Sequence, residues 1–261
     1  HLVTVTRADG RTEQFTSSTR AREGDPAADG SRPVFITREA NAFLDLDNLV
    51  LVAMRASFIA VIAVGMTAVI ILSGIDLSVG SIYALAAIVG AMVLKSMQGT
   101  ESAGAWTGWG ANADAILVVP VGLAVCVLVG AACGLANGSM IVGLRVHPFV
   151  ITLGTMAALR GITILIPKEV LQTQSVSGFP PSYQRGFFRA DLWDVQPVPI
   201  FFMLAVGVAG WFILSRTVFG RRVYAIGGNE TAARYAGVPV GAVKIGVYTI
   251  VGALAGLSGA M

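Results

Sequence analysis

A single carboxylate stands alone in a long apolar neighbourhood. Asp76 is the sole acid between Asp47 and Glu101, within SGIDLSVGS, residues 73–81. Inside a bilayer an ionisable side chain is by default a candidate for function, as proton relay or substrate contact. The plainer role is structural: Asp76 or Ser78 can cap a helix beginning near Val79, accepting its exposed N–H groups where lipid offers no water. Capping is the preferred reading. Thr152 and Thr155, in a later apolar run, could present hydroxyls to a solute on a translocation path, and Arg160 a charge. Hydroxyls in membrane helices more often bond their own backbone. A charge at Arg160 costs about 2.5–3.5 kcal/mol on insertion scales, so it is expected to face a protein interior, a water-filled path or an interface.

Other chemistries have little to work with. The chain holds two histidines and two cysteines, with no Cys/His/carboxylate set at metal spacing, so neither a metal site nor a cofactor is expected. His147 precedes Pro148 and reads as a solvated or capping side chain. Cys126 and Cys133 lie seven apart on one apolar run, about 10 Å along a helix, too far for a mutual disulfide. They read as small packing residues. A phosphate-cradling GxxxxGK[ST] loop is missing, so the chain is not expected to hydrolyse ATP, and no Ser/His/Asp set with specific spacing emerges. No catalytic residue is assigned.

Between two long apolar runs lies a basic, turn-rich segment too polar to cross a bilayer, 216–244, RTVFGRRVYAIGGNETAARYAGVPVGAVK. Asn229 can N-cap a short helix there, Glu230 places a negative charge in its first turn, and Gly237 followed by Pro239 ends it. Such a helix is only about 10 Å long and marginal alone in water. It is expected to become firm by packing on its own membrane domain or on a partner, which makes it a candidate docking element.

The elements that must position these residues are membrane spans. With 55% hydrophobic and 13% charged residues among 261 and a mean hydropathy of +0.74, the sequence is that of an all-α polytopic membrane protein. The net charge of +3 does not point to nucleic acid, because the basic residues sit in loops beside apolar runs. About six spans are expected: 49–72, 79–97, 116–136, 149–166, 197–215, and one starting at Lys244. Arg55 can snorkel near an end of the first. Gly130, Gly134 and Gly138 in the third, and Gly252 and Gly256 in the sixth, form small-xxx-small faces for close helix approach. Trp106 and Trp109 suit an interface belt in a polar loop of 98–114, and the 167–196 loop could hold a short surface helix.

Arg216, Arg221, Arg222, Arg234 and Lys244 against one acid, Glu230, place the 216–244 loop in the cytoplasm by the positive-inside rule. Alternation then puts the link with Arg145 and His147 inside and the 98–114 and 167–196 loops outside. SGIDLSVGS falls at the cytoplasmic side or as a break within the membrane. Residues 1–48 read as a polar, flexible N-terminal segment with no signal-peptide core. They would lie outside, which suggests that a helix preceding residue 49 is absent, and the sixth run is unfinished at Met261. A fragment is therefore expected.

Three pieces carry a family likeness: AVGMTAVIILSGIDLSVGSIYAL, VHPFVITLGTMAALRGI and TVFGRRVYAIGGNETAARYAGVPV. In that order they resemble the membrane-spanning permease subunits of ABC importers for monosaccharides such as ribose, xylose and galactose, over about residues 44–261. The resemblance implies a multi-pass protein of the bacterial inner membrane. Its implied partners are membrane lipid, a second permease copy, two ATP-hydrolysing subunits and a periplasmic substrate-binding protein. It also implies a first helix before residue 49 and further helices after the last. A short cytoplasmic coupling helix inserts into the ATPase in such importers, and the match places that role on GGNETAARYAGV within the loop of 216–243. Gly228 and Asn229 would open the helix, Glu230 lie in its first turn, Ala232 and Ala233 allow close approach, Arg234 pair with an acidic partner group, and Gly237 end it. An ordinary capped connector is the plain alternative. Thr152, Thr155 and Arg160 would be candidate sugar contacts. A branched-chain amino acid permease is the near alternative function. An ion-coupled carrier would usually need paired intramembrane acids, which are missing here, and a non-functional truncated remnant is a further alternative.

Overall fold

The computed structural model describes residues 3–6, 12–15, 19–23, 34–38, 46–96, 115–171 and 198–261. Trp106 and Trp109, and a surface helix in the outer loop, lie outside these residues. Two units are distinguished, 1–49 and 50–261. In the first, β1 (Val3–Thr6) pairs antiparallel with β2 (Thr12–Phe15), and β3 (Thr19–Glu23) with β4 (Val34–Arg38). The described stretches VTVT and VFITR carry the β-branched residues that favour strands.

The second unit is helical: α1 (Leu46–Ile71), α2 (Val79–Ser96), α3 (Ala115–Leu144), α4 (Pro148–Leu171), α5 (Val198–Arg216), α6 (Val218–Gly228), α7 (Glu230–Tyr235) and α8 (Val240–Ala260). Five of these, α1, α3, α4, α5 and α8, are long and apolar enough to cross a bilayer, and Val79–Lys95 in α2 is a shorter apolar helix. The fold is that of an all-α polytopic membrane protein.

Two helices outrun the hydrophobic stretches that announced them. The third apolar run ends at Ala136, yet α3 continues to Leu144. Asn137 and Gly138 look like a link in isolation, but Asn137 is buried and hydrogen-bonded, and Gly138 lies against the backbone of Ile245. Tertiary partners satisfy what sequence reads as polar punctuation. Likewise α4 runs through Pro167 to Leu171.

The densest packing is between α3 and α8. A Cβ placed on Gly130 would overlap the Gly252 carbonyl, and one on Gly134 the Tyr248 carbonyl. The same holds for Gly252 against Gly130 and Gly256 against Cys126. The two glycine faces thus meet each other, and the backbones approach to a distance only hydrogen side chains permit. Beside this seam Cys126 is buried, its thiol directed at the Ala86 carbonyl of α2, and both cysteines are free. At one end of the seam the core joins Val69 of α1, Leu72 just past its end, Val223 and Ile226 of α6, Ala233 of α7, and Val243, Val247 and Tyr248 of α8.

Candidate functional site

Three connections meet at that end: the α1–α2 turn, the α3–α4 link and the α6–α7 pair. Alternating spans require them to share a side. Together they line a cleft of about 310 Å³ whose walls include Ser73, His147, Asn229, Glu230, Lys244 and Tyr248.

The α6–α7 pair is built from local signals. Thr217 caps α6, its hydroxyl accepting the N–H of Gly220 at 3.2 Å. The helix buries Gly220, Val223 and Ile226, spaced by three, and turns Arg221, Arg222 and Tyr224 outward. Asn229 ends α6 and begins α7. Its N–H donates to the Ala225 carbonyl, and its side-chain oxygen accepts the N–H of Ala232 at 2.9 Å. Six residues later the helix stops. Gly237 adopts φ +79°, its N–H donates to the Arg234 carbonyl, and the Val238 N–H donates to Ala233.

Glu230 holds this short helix to the membrane unit. Lys244 Nζ of α8 donates to one carboxylate oxygen at 2.7 Å and Arg234 to the other at 3.0 Å. The Lys244 hydrogen bond is the main cause holding the Glu230 carboxyl below its ordinary range. Partial burial opposes that effect, and the charges of Lys244 and Arg234, with the Arg234 hydrogen bond, add to it.

Several placements differ from the sequence expectation. Gly228 closes α6 rather than opening α7, because the preceding ten residues are themselves helical. Ala232 is exposed, but Ala233, 5% exposed, packs into the chain's own core and offers nothing outward. Arg234 already has an acidic partner, Glu230, one turn away on its own helix. Sequence reasoning passed over Tyr235, which is 88% exposed beside Arg234. A large aromatic in a polar, turn-rich segment was the available signal.

Asp76 is 3% exposed, and one carboxylate oxygen accepts both the N–H and the hydroxyl of Ser78, at 2.8 and 2.6 Å. Ser78 in turn accepts from Asn137 Nδ2 at 2.7 Å, and its carbonyl accepts the Ile82 N–H in the first turn of α2. The other Asp76 oxygen is buried without a hydrogen-bond partner. Asn137 lies seven residues inside the end of α3, about 10 Å along the helix axis. The α1–α2 turn is therefore sunk below the helix ends, where backbone groups need protein partners. Thr152 and Thr155 direct their hydroxyls to carbonyls of α4 itself, at 2.9 and 3.1 Å. They line neither the cleft nor the Asp76 cluster. Arg160 is exposed on α4. No group of three His, Cys, Asp or Glu among the described residues could hold a metal ion.

Chemically, this end offers two capped helices with exposed arginines and tyrosines, tied by an ion pair to a span. Several known transport permeases are similar to this chain. The D-allose transport system permease protein AlsC of Escherichia coli (strain K12) is 35% identical over 226 residues, 87% of this chain and 62% of that protein. The ribose import permease protein RbsC of the same strain is 36% identical over 83% of this chain and 61% of its own length. The galactose/methyl galactoside import permease protein MglC of Haemophilus influenzae (strain ATCC 51907 / DSM 11121 / KW20 / Rd) is 33% identical over 80% and 61%. The chain thus spans about three-fifths of the length of these relatives. No solved structure matches. Residues 48–261 match the family described as branched-chain amino acid transport system / permease component, and the chain belongs to that family.

Proposed function

We propose that this chain is the permease part of an ATP-driven importer that carries a monosaccharide of the ribose, allose or galactose kind across the bacterial inner membrane. A separate ATPase supplies the energy, a periplasmic binding protein delivers the sugar, and a second permease copy completes the path. The α6–α7 pair faces the cytoplasm, where five basic residues against one acid belong, and docks on the ATPase. The observation that carries this reading is the pair itself: Asn229 and Gly237 fix both ends of α7, Glu230 ties it to α8, and Ala232 and Tyr235 are left uncovered.

An ion-coupled carrier would usually need paired intramembrane acids, whereas Asp76 is the sole acid between Asp47 and Glu101, which disfavours that alternative. A branched-chain amino acid cargo remains a second reading, because the family description names it. Binding of candidate solutes to the partner binding protein separates the two cargos.

The test is an Ala232→Trp variant in the assembled transporter. Position 232 is exposed, so an indole there leaves the chain's own packing intact. ATP hydrolysis should become uncoupled from uptake while the permease stays in the membrane. Unchanged transport contradicts the docking assignment.

A further inference from the structure

The α1–α2 turn touches the docking pair directly. Ser73 stands at φ +59° just past the end of α1, where its N–H closes on the Ile70 carbonyl and the Gly74 N–H on that of Val69. Its hydroxyl donates to the Gly227 carbonyl at 3.2 Å, joining residues 154 positions apart. Gly227 is pressed against the last carbonyls of α1, and a Cβ there would overlap the Ile71 oxygen. Its neighbour Gly228 has nothing within 4 Å of the same hypothetical atom.

From that contact the turn leads inward along two hydrogen-bonded lines. The Tyr248 hydroxyl of α8 donates to the Ile75 carbonyl at 3.3 Å, and a Cβ on Gly74 would meet that hydroxyl at 2.9 Å. Asp76 gathers Ser78, which receives Asn137 of α3. The turn is thus held by α6 from below and by α3 and α8 from within. These are the two helices of the glycine seam.

We propose that the α1–α2 turn is a latch: a displacement of the docking helices passes through Gly227 and Ser73 into the turn, and through Asp76 and Tyr248 to α3 and α8. Gly227, Ser73 and Asp76 are positioning residues for transport. This rests on the importer reading above. The Gly227 contact on the Ile71 carbonyl leaves no room for a methyl group, and close-packed contacts shift as units rather than yield gradually, so a push on α6 has to be answered at the end of α1 where the turn begins. The Glu230–Lys244 pair is a parallel tie from α7 to α8.

Two glycines supply the experiment. Gly227→Ala and, in α5 where an added methyl group meets nothing within 4 Å, Gly207→Ala are compared in the complete transporter, reconstituted in liposomes with its ATPase and binding protein. Solute imported per ATP hydrolysed is measured beside the amount of ATPase that copurifies. Gly227→Ala is expected to lower import per ATP on the order of tenfold, within the range usual for coupling between sites, with ATPase retention unchanged. Gly207→Ala should match the native chain. Ser73→Ala adds no atoms, so it decides the matter should Gly227→Ala fail to fold; a loss of a few-fold is expected from one hydrogen bond. Equal behaviour of the two glycine variants, or full coupling in Ser73→Ala, overturns the latch. A native chain that neither retains the ATPase nor imports overturns the importer reading instead, and the latch with it.

Discussion

The α3–α8 seam and the α6–α7 end solve opposite problems with similar residues. Glycines in the seam remove side chains so that two backbones touch, and Gly130, Gly134, Gly252 and Gly256 leave no room for even a methyl group. At the α6–α7 end Gly228 and Gly237 have open space around them, and Gly237 is there for its left-handed backbone. Gly220 and Gly227 of α6 also lie against backbone, so this end uses glycine both for contact and for conformation, whereas the seam uses it for contact alone. The seam holds the fold, whereas the docking end leaves its surface available.

The difference can be broken at several points, most severely in the seam. Gly134→Val places three carbons against the Tyr248 carbonyl. Overpacking costs about 1–3 kcal/mol even where side chains can yield, and backbone yields less, so detergent-stable, monodisperse protein should be lost on size-exclusion chromatography. Gly237→Val at the docking end forces a β-branched residue to positive φ, a penalty of about 1–2 kcal/mol. It should loosen α7 in hydrogen exchange without lowering membrane yield. Asn229→Ala removes the cap from the Ala232 N–H, at about 1 kcal/mol, with faster exchange confined to α7.

The smallest effect concerns pH. The folded Glu230 carboxyl is held below its ordinary value of 4.5, so its contribution to holding α7 is present above that value and lost as pH falls through the folded value. Exchange protection of α7 should accordingly fall in acid, whereas Glu230→Gln should show weaker protection at neutral pH and no such acid step. A seam glycine variant responding to pH in the same window would show that the two regions are not separable.

How far the sequence revealed these regions follows from what kind of signal each uses. Spans were legible from apolar runs, the glycine faces from their spacing, and the two ends of α7 from Asn229 and Gly237, because each depends on neighbours along the chain. The α6 helix was passed over: the Thr217 cap and the buried spacing of Val223 and Ile226 become plain only once a core exists to receive them. Which way Ala233 faces, and that Arg234 is engaged by Glu230, depend on how α7 lies against α8. Ser73–Gly227 and Ser78–Asn137 join residues 154 and 59 positions apart. No pattern within either segment announces such a pairing.

The docking claim is tested most directly by proximity. Cysteine is introduced by Ala232→Cys, on the exposed face of α7, and separately by Leu204→Cys, on the exposed apolar side of α5. Each is treated with a short thiol-to-amine cross-linker in membranes containing the ATPase. The account predicts a permease–ATPase adduct from Ala232→Cys alone, diminished when nucleotide changes the ATPase conformation. An intact complex that gives no adduct at 232, or an equal one at 204, would contradict it.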